Sequence, residues 1–206
     1  MHSKPRVVGI AGDTPDPTVL AEAARVIREG GLVAFPTETV YGLAADATNS
    51  KAVDRLNNVK GRPPEKPYSL HIHSVDQVRA YVPAVPLLAA RLMERFWPGP
   101  LTIVIPGNNG ATVGFRLPDH PVAFAFLKAC GVPIVAPSAN RSGSPPPTDA
   151  AEVVAALGGE IDYILDAGPT RLGKESTVVE ILDGRVTVRR EGAIAREAIL
   201  SAVNSG

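Results

Sequence analysis

The chain has 206 residues, with 21 Lys and Arg balanced by 21 Asp and Glu, and 45% hydrophobic but only 5% aromatic content. That length suits one domain with a core of Val, Ile, Leu and Ala, and the zero net charge gives no electrostatic case for bulk nucleic-acid binding. The single cysteine, Cys130, allows neither an internal disulfide nor a cysteine metal site, no apolar run is shaped like a secretory leader or a membrane span, and a soluble protein of the reducing cytoplasm is expected.

Asp16-Pro17 reads as an N-cap and first helical residue, and Leu20, Ala23, Ala24 and Ile27 recur at helical spacing. A helix is therefore predicted over 18–29, ended by Gly30-Gly31. The apolar run 32–35 predicts a buried strand that Pro36 stops, leaving 36–42 as a loop. A second helix is predicted from a cap at Asn49 or Ser50 to about Val59, followed by a proline-rich loop over 60–67 and a strand over 68–72. Ser74 and Pro86 open two further helices, the second ending near Phe96. Pro98-Gly99-Pro100 breaks the chain before strands over 101–105 and 112–116, with Asn108-Asn109-Gly110 as the turn between them. A helix over 120–129, a strand over 133–136, a polar loop to 147, a helix from Thr148 to about Leu157 and a strand over 161–165 follow. Asp183-Gly184 marks a hairpin of 177–182 and 186–190, and 197–203 is a closing helix. Strands alternating with helices, then a hairpin, imply an α/β fold with a twisted mixed sheet, parallel and antiparallel, flanked by helices. No internal repeat or dividing linker interrupts 1–206, so a single domain is expected.

Five stretches hold chemistry-bearing side chains. The loop 36–43 places Thr37, Glu38, Thr39 and Tyr41 after a buried strand, where α/β sheets locate ligands; local turn hydrogen bonding accounts for the hydroxyls equally well. Lys60 and Arg62 flank a glycine on a rigid loop and suit phosphate oxygens, a solvated basic loop being the plainer account of so short a pair. His71 and His73 share one strand face, and so do Thr112, Gly114 and Arg116. Arg116, at a strand end, can reach a carboxylate bidentately or simply face solvent. The segment 133–143 runs from an apolar strand into the small polar groups of Ser138, Asn140 and Ser142. The last stretch is 173–177, with Arg189 and Arg190 on the hairpin, of which at most one faces a given site. Metal motifs, the P-loop, the dinucleotide fingerprint and the nucleophile elbow are all missing. The residues by themselves reach an α/β protein with a cationic, hydroxyl-rich cleft suited to a phosphorylated ligand.

In order and spacing these stretches resemble the YrdC family of threonylcarbamoyl-AMP synthases. The resemblance rests on PTETVYGL at 36–43, the KxR…SxN signature at Lys60, Arg62, Ser138 and Asn140, FWPGPLT at 96–102, PSAN at 137–140 and ESTVV at 175–179, and it spans about residues 15–195. It implies a mixed sheet around a large concave cleft. It further implies condensation of L-threonine, bicarbonate or CO2, and ATP with Mg2+, giving threonylcarbamoyl-adenylate and diphosphate. The adenylate would pass to a tRNA threonylcarbamoyl transferase complex. By position, the resemblance assigns catalysis to Lys60, Arg62, Ser138 and Asn140. It assigns ATP binding to these four with Thr112, Ser144 and Arg190, and threonine binding to Thr37, His71, Arg116, the Ala136 backbone and Ser176. Tyr68 and Ser69 replace a more apolar pair, and an end soon after Arg190 suits the short, single-domain type. A paralogue that binds RNA or a nucleotide is the alternative, disfavoured by the intact signature and the zero net charge.

Overall fold

A computed structural model describes residues 4–63 and 65–204. Among them run strands β1 (Arg6–Gly9), β2 (Val33–Phe35), β3 (Gly42–Asp46), β4 (Leu70–His71), β5 (Leu101–Pro106), β6 (Thr112–Arg116), β7 (Ile134–Val135), β8 (Tyr163–Asp166), β9 (Thr177–Leu182) and β10 (Arg185–Arg190). The helices are α1 (Pro17–Arg28), α2 (Ser50–Lys60), α3 (Leu87–Phe96), α4 (Pro121–Cys130), α5 (Ala150–Leu157) and α6 (Arg196–Asn204). The strands form one mixed sheet in the order β1-β8-β2-β3-β7-β4-β6-β5-β9-β10. The pairs β1–β8, β2–β8, β4–β6 and β5–β9 are parallel and the rest antiparallel.

The local signals work as their chemistry dictates. Asp16 accepts from the Thr18 amide at 2.7 Å and caps α1, with Pro17 at its first position. Gly61 takes the left-handed conformation (φ 58°) that ends α2, and Asp183-Gly184, both at positive φ, close the β9–β10 hairpin. Three elements depart from expectation. Gly42–Asp46 is a strand although Gly and Ala are poor strand formers; β2 on one side and β7 on the other supply its ladder. Arg6–Gly9 is an edge strand, mostly exposed, with no apolar alternation to announce it. Ser74 opens a short 3₁₀ helix, Val75–Ala80, and not an α-helix; Val82 and Val85 each precede a proline, which disfavours helical backbone just downstream.

Strand alternation sorts side chains to two faces. Leu43, Leu70, Phe115, Ile103 and Val179 pack against Leu56 of α2, Leu92 of α3, Val153 of α5 and Ile199 of α6. Phe35, Ala44 and Ile134 pack on the other face against Ala23 and Ile27 of α1 and Phe126 of α4. In register across that second face run Ile134, His71, Arg116, Thr102 and Val178. Helices α1 and α4 cover it around β2, and the same face of β4, β6 and β5 is left open as a cavity.

Candidate functional site

The cavity has a volume of about 620 Å³. Its floor follows from register: Thr102, Val104, Thr112, Gly114, Arg116 and His71 all line it, while their sequence neighbours Ile103, Phe115 and Leu70 lie in the opposite core. A Cβ at Gly114 would sit 2.5 Å from Ser69 Oγ, so any larger residue there would push Ser69 aside. The walls are the 60–69 loop, the 136–144 loop, and Glu175, Ser176 and Arg190. Among the residues expected from sequence, Lys60, Arg62, His71, Thr112, Arg116, Ala136, Ser138, Asn140, Ser144, Ser176 and Arg190 line this one cavity. Thr37 does not; it stands behind Arg116, 3.5 Å from its Nη2, with its hydroxyl also bound within its own turn to Thr39 and the Val40 carbonyl.

Lys60 is the last residue of α2 and is only 3% exposed. Its Nζ donates to the carbonyl oxygens of Ser138 (2.5 Å) and Asn140 (2.7 Å), with Asn140 Oδ1 at 3.4 Å, and the Ser142 amide donates back to the Lys60 carbonyl at 2.8 Å. The lysine thus clamps the 138–144 loop, and Asn140 Nδ2 tightens it through the Ser144 carbonyl at 2.6 Å. The hydroxyls of Ser138, Ser142 and Ser144 remain for a ligand. Burial, then the nearby Arg62 cation, lower the Lys60 ammonium to about 8, partly opposed by Glu175. The charged form, present below that pH, is the one that attracts an anion. Affinity for a non-hydrolysable ATP analogue should therefore fall as pH rises through about 8, and titration calorimetry from pH 6.5 to 9 would show it. A flat affinity over that range would mean that Lys60 charge is not felt by the ligand.

Arg62 is held from three sides. Its Nη2 and Nε donate to the carbonyls of Pro67 (3.0 Å) and Lys66 (3.3 Å), and its guanidinium lies 4.7 Å over the Tyr68 ring. Tyr68 is itself fixed by its hydroxyl, 2.8 Å from Asn57 Oδ1 on α2. A stacked cation of this kind gains about 0.5–1 kcal/mol. Tyr68→Leu should weaken ATP binding about two- to fivefold, with Tyr68→Phe nearer the parent; titration of the two variants checks this.

Arg116 is buried; its Nη2 donates to Thr39 Oγ1 at 2.6 Å and Thr37 Oγ1 at 3.5 Å, and lies 3.1 Å from Glu38 Oε1 as an ion pair. His71, adjacent in register, is also buried, and burial followed by the Arg116 cation pushes its imidazole down to about 3, so the ring is neutral. Ser176 Oγ lies 2.9 Å from Thr102 Oγ1. Arg190 reaches the Ser176 carbonyl at 2.9 Å and pairs with Glu175 at 3.0 Å, while Arg189 turns away to Glu180, so one of the two hairpin arginines faces the cavity as expected. Gly192 makes this wall possible: a Cβ there would lie 2.2 Å from the Glu175 carbonyl oxygen.

Sequence reasoning missed Thr102, Val104, Glu175 and the grip of Glu38 and Thr39 on Arg116. Aligning the alternation of 101–105 with that of 112–116 would have set Thr102 opposite Arg116. No pattern in the sequence announces that Glu38 is buried.

Fold and cavity together define an α/β protein with a cationic, hydroxyl-lined cleft. The Sua5/YciO/YrdC sequence model, described as telomere recombination, matches residues 25–192, and the chain belongs to this family. It is 45% identical to the threonylcarbamoyl-AMP synthase of Bacillus subtilis over 196 residues, 90% of this chain and 56% of that protein. It is 34% identical to that of Nitrosococcus oceani over 176 residues, 81% of this chain and 94% of that protein. The chain spans about half the length of the first curated relatives it matches, 53–56%. Pyrococcus abyssi Sua5, solved in complex with L-threonine, superposes with a TM-score of 0.90 at 39% identity, covering 96% of this chain and 61% of that one. Escherichia coli YciO gives 0.83 at 28% identity, covering 91% and 96%.

Proposed function

We propose that this chain is a threonylcarbamoyl-AMP synthase, condensing L-threonine, bicarbonate or CO2, and ATP to threonylcarbamoyl-adenylate and diphosphate. The observation that carries the reading is the polarity of this cavity. A buried arginine with hydroxyls and a neutral histidine forms one end, and Lys60, Arg62 and the serine loop form the other. The names of the relatives and the threonine complex of the Pyrococcus protein agree with it.

At the first end, Arg116 takes the carboxylate of threonine, with Thr37 and Thr39 steadying the guanidinium from behind. His71, Ser176 and the Ala136 backbone surround the rest of the amino acid. At the other end Lys60, Arg62, Thr112, Ser138, Asn140, Ser144 and Arg190 hold ATP. Mg2+ enters bound to the phosphates, as part of that substrate; among the described residues no group of three or more His, Cys, Asp or Glu side chains is gathered to hold one.

The threonine ammonium loses a proton to water, its nitrogen adds to the carbon of CO2, and a second proton leaves that nitrogen for water, giving a carbamate. A carbamate oxygen attacks the α-phosphorus, the bond to the bridging oxygen breaks, and diphosphate leaves. Charge builds on phosphate oxygens throughout, so fixed donors and cations do the catalytic work and no protein nucleophile is required. Lys60 acts chiefly by holding the serine loop in shape and Arg62 by contact with phosphate. The adenylate would then pass to a tRNA threonylcarbamoyl transferase complex in the cytoplasm.

Incubation with ATP, L-threonine and carbon-13 bicarbonate, followed by mass spectrometry, tests this. A product containing AMP, threonine and one labelled carbon is expected; ATP consumption without such a product would refute it.

A further inference from the structure

Glu38 is a carboxylate placed where a carboxylate is unfavourable. It is 1% exposed, it does not line the cavity, and among the described residues neither of its oxygens accepts a hydrogen bond. Among the described residues its one ion-pair partner is Arg116, 3.1 Å away at Nη2. Holding that nitrogen in place does not require a charge, because Thr39 Oγ1 already accepts from it at 2.6 Å. Among the described residues two more buried polar atoms, Arg116 Nε and Nδ1 of the neighbouring His71, lack hydrogen-bond partners.

Adding up charge along the cavity suggests the purpose. Arg190 is matched by Glu175 and Arg116 by Glu38, whereas Lys60, Arg62 and Lys66 have no carboxylate within ion-pair distance among the described residues. One end is therefore neutral in sum and the other is cationic. Without Glu38, the buried Arg116 would be an uncompensated cation little screened by water, and so a strong competitor for phosphate oxygens.

We propose that Glu38 is a positioning and specificity residue that cancels the charge of Arg116, so that this end of the cavity accepts a zwitterionic amino acid and refuses bare anions, leaving phosphate to Lys60 and Arg62. The proposal rests on the amino-acid reading of this end given above. Specificity here comes as much from what the pair repels as from what it attracts.

Titration calorimetry with L-threonine, with (R)-3-hydroxybutanoate (the same chain without the ammonium group) and with inorganic phosphate separates the possibilities. If the wild-type protein binds no L-threonine, with or without ATP, the amino-acid reading itself is wrong. If it binds, (R)-3-hydroxybutanoate should bind at least about tenfold more weakly, and phosphate should not compete with threonine. In Glu38→Gln that preference should shrink toward unity, L-threonine should bind more weakly, and phosphate should become a competitor. Glu38→Asp, which keeps the charge, should restore the wild-type pattern. A folded Glu38→Gln protein with an unchanged preference and no phosphate competition would overturn the proposal. Should that variant not fold, wild-type protein that binds (R)-3-hydroxybutanoate as tightly as L-threonine would overturn it equally.

Discussion

Arg116→Lys is expected to fold normally, to bind ATP within about twofold of the parent, and to lose about ten- to a hundredfold in affinity for L-threonine. The substitution keeps a cation beside Glu38, which is buried and would otherwise be left uncompensated. What it removes is the planar fork. In the native protein Nη2 donates to Thr39 and Thr37 with Glu38 3.1 Å away, and Nε is buried, so Nη1 is the nitrogen left to face a carboxylate. An ammonium held there has at most one donor left over and cannot offer a paired fork. Arg116→Ala should behave differently: leaving Glu38 alone in the interior should cost about 3–5 kcal/mol, seen as a fall in the denaturant midpoint before any question of binding arises. Threonine binding by Arg116→Lys at the parental affinity would move the carboxylate site elsewhere in the cavity.

Lys60→Met should lower turnover about a hundred- to a thousandfold and destabilise the fold together. Methionine fills the same buried volume without donors, so the Ser138 and Asn140 carbonyls and Asn140 Oδ1 lose the Nζ that joins them. Each buried acceptor left bare costs about 1–3 kcal/mol. Arg62→Ala makes the contrasting case. Its partners, the Lys66 and Pro67 carbonyls, lie on an exposed loop that water can reach, so ATP affinity and turnover should fall with the melting temperature nearly unchanged. Stopped assays and thermal melts on the two variants would distinguish a clamp from a phosphate ligand. Lys60→Met with full stability would contradict the clamp, and Arg62→Ala with full turnover would contradict the phosphate role.

Much of the architecture was legible because its signals are local. Asp16-Pro17, Asn49 (the first of the two caps expected there) and Asp183-Gly184 act through their own backbone geometry, and each marks a boundary. The elements that escaped are those whose reason lies elsewhere in the chain. Gly42–Asp46 becomes a strand because β2 and β7 flank it, a fact no window of eight residues holds. The same division runs through the cavity. Alternation along 112–116 set Thr112, Gly114 and Arg116 on one face, and the cavity uses that face. Sequence gave no hint that Lys60 faces carbonyl oxygens, that Tyr68 stacks on Arg62, or that Glu38 underlies Arg116; these contacts join residues 6 to 80 positions apart or depend on burial. The pairing of Arg62 with Tyr68 also gives a use to the tyrosine that stands where the resemblance led one to expect an apolar residue.

Release of diphosphate from ATP, measured with L-threonine and bicarbonate each omitted in turn, tests the central claim most directly. The division of the cavity into an amino-acid end and a phosphate end predicts release only when both are present, and its loss in Arg62→Ala. Release that is indifferent to threonine or to bicarbonate, or no release from folded protein that binds ATP, would contradict it.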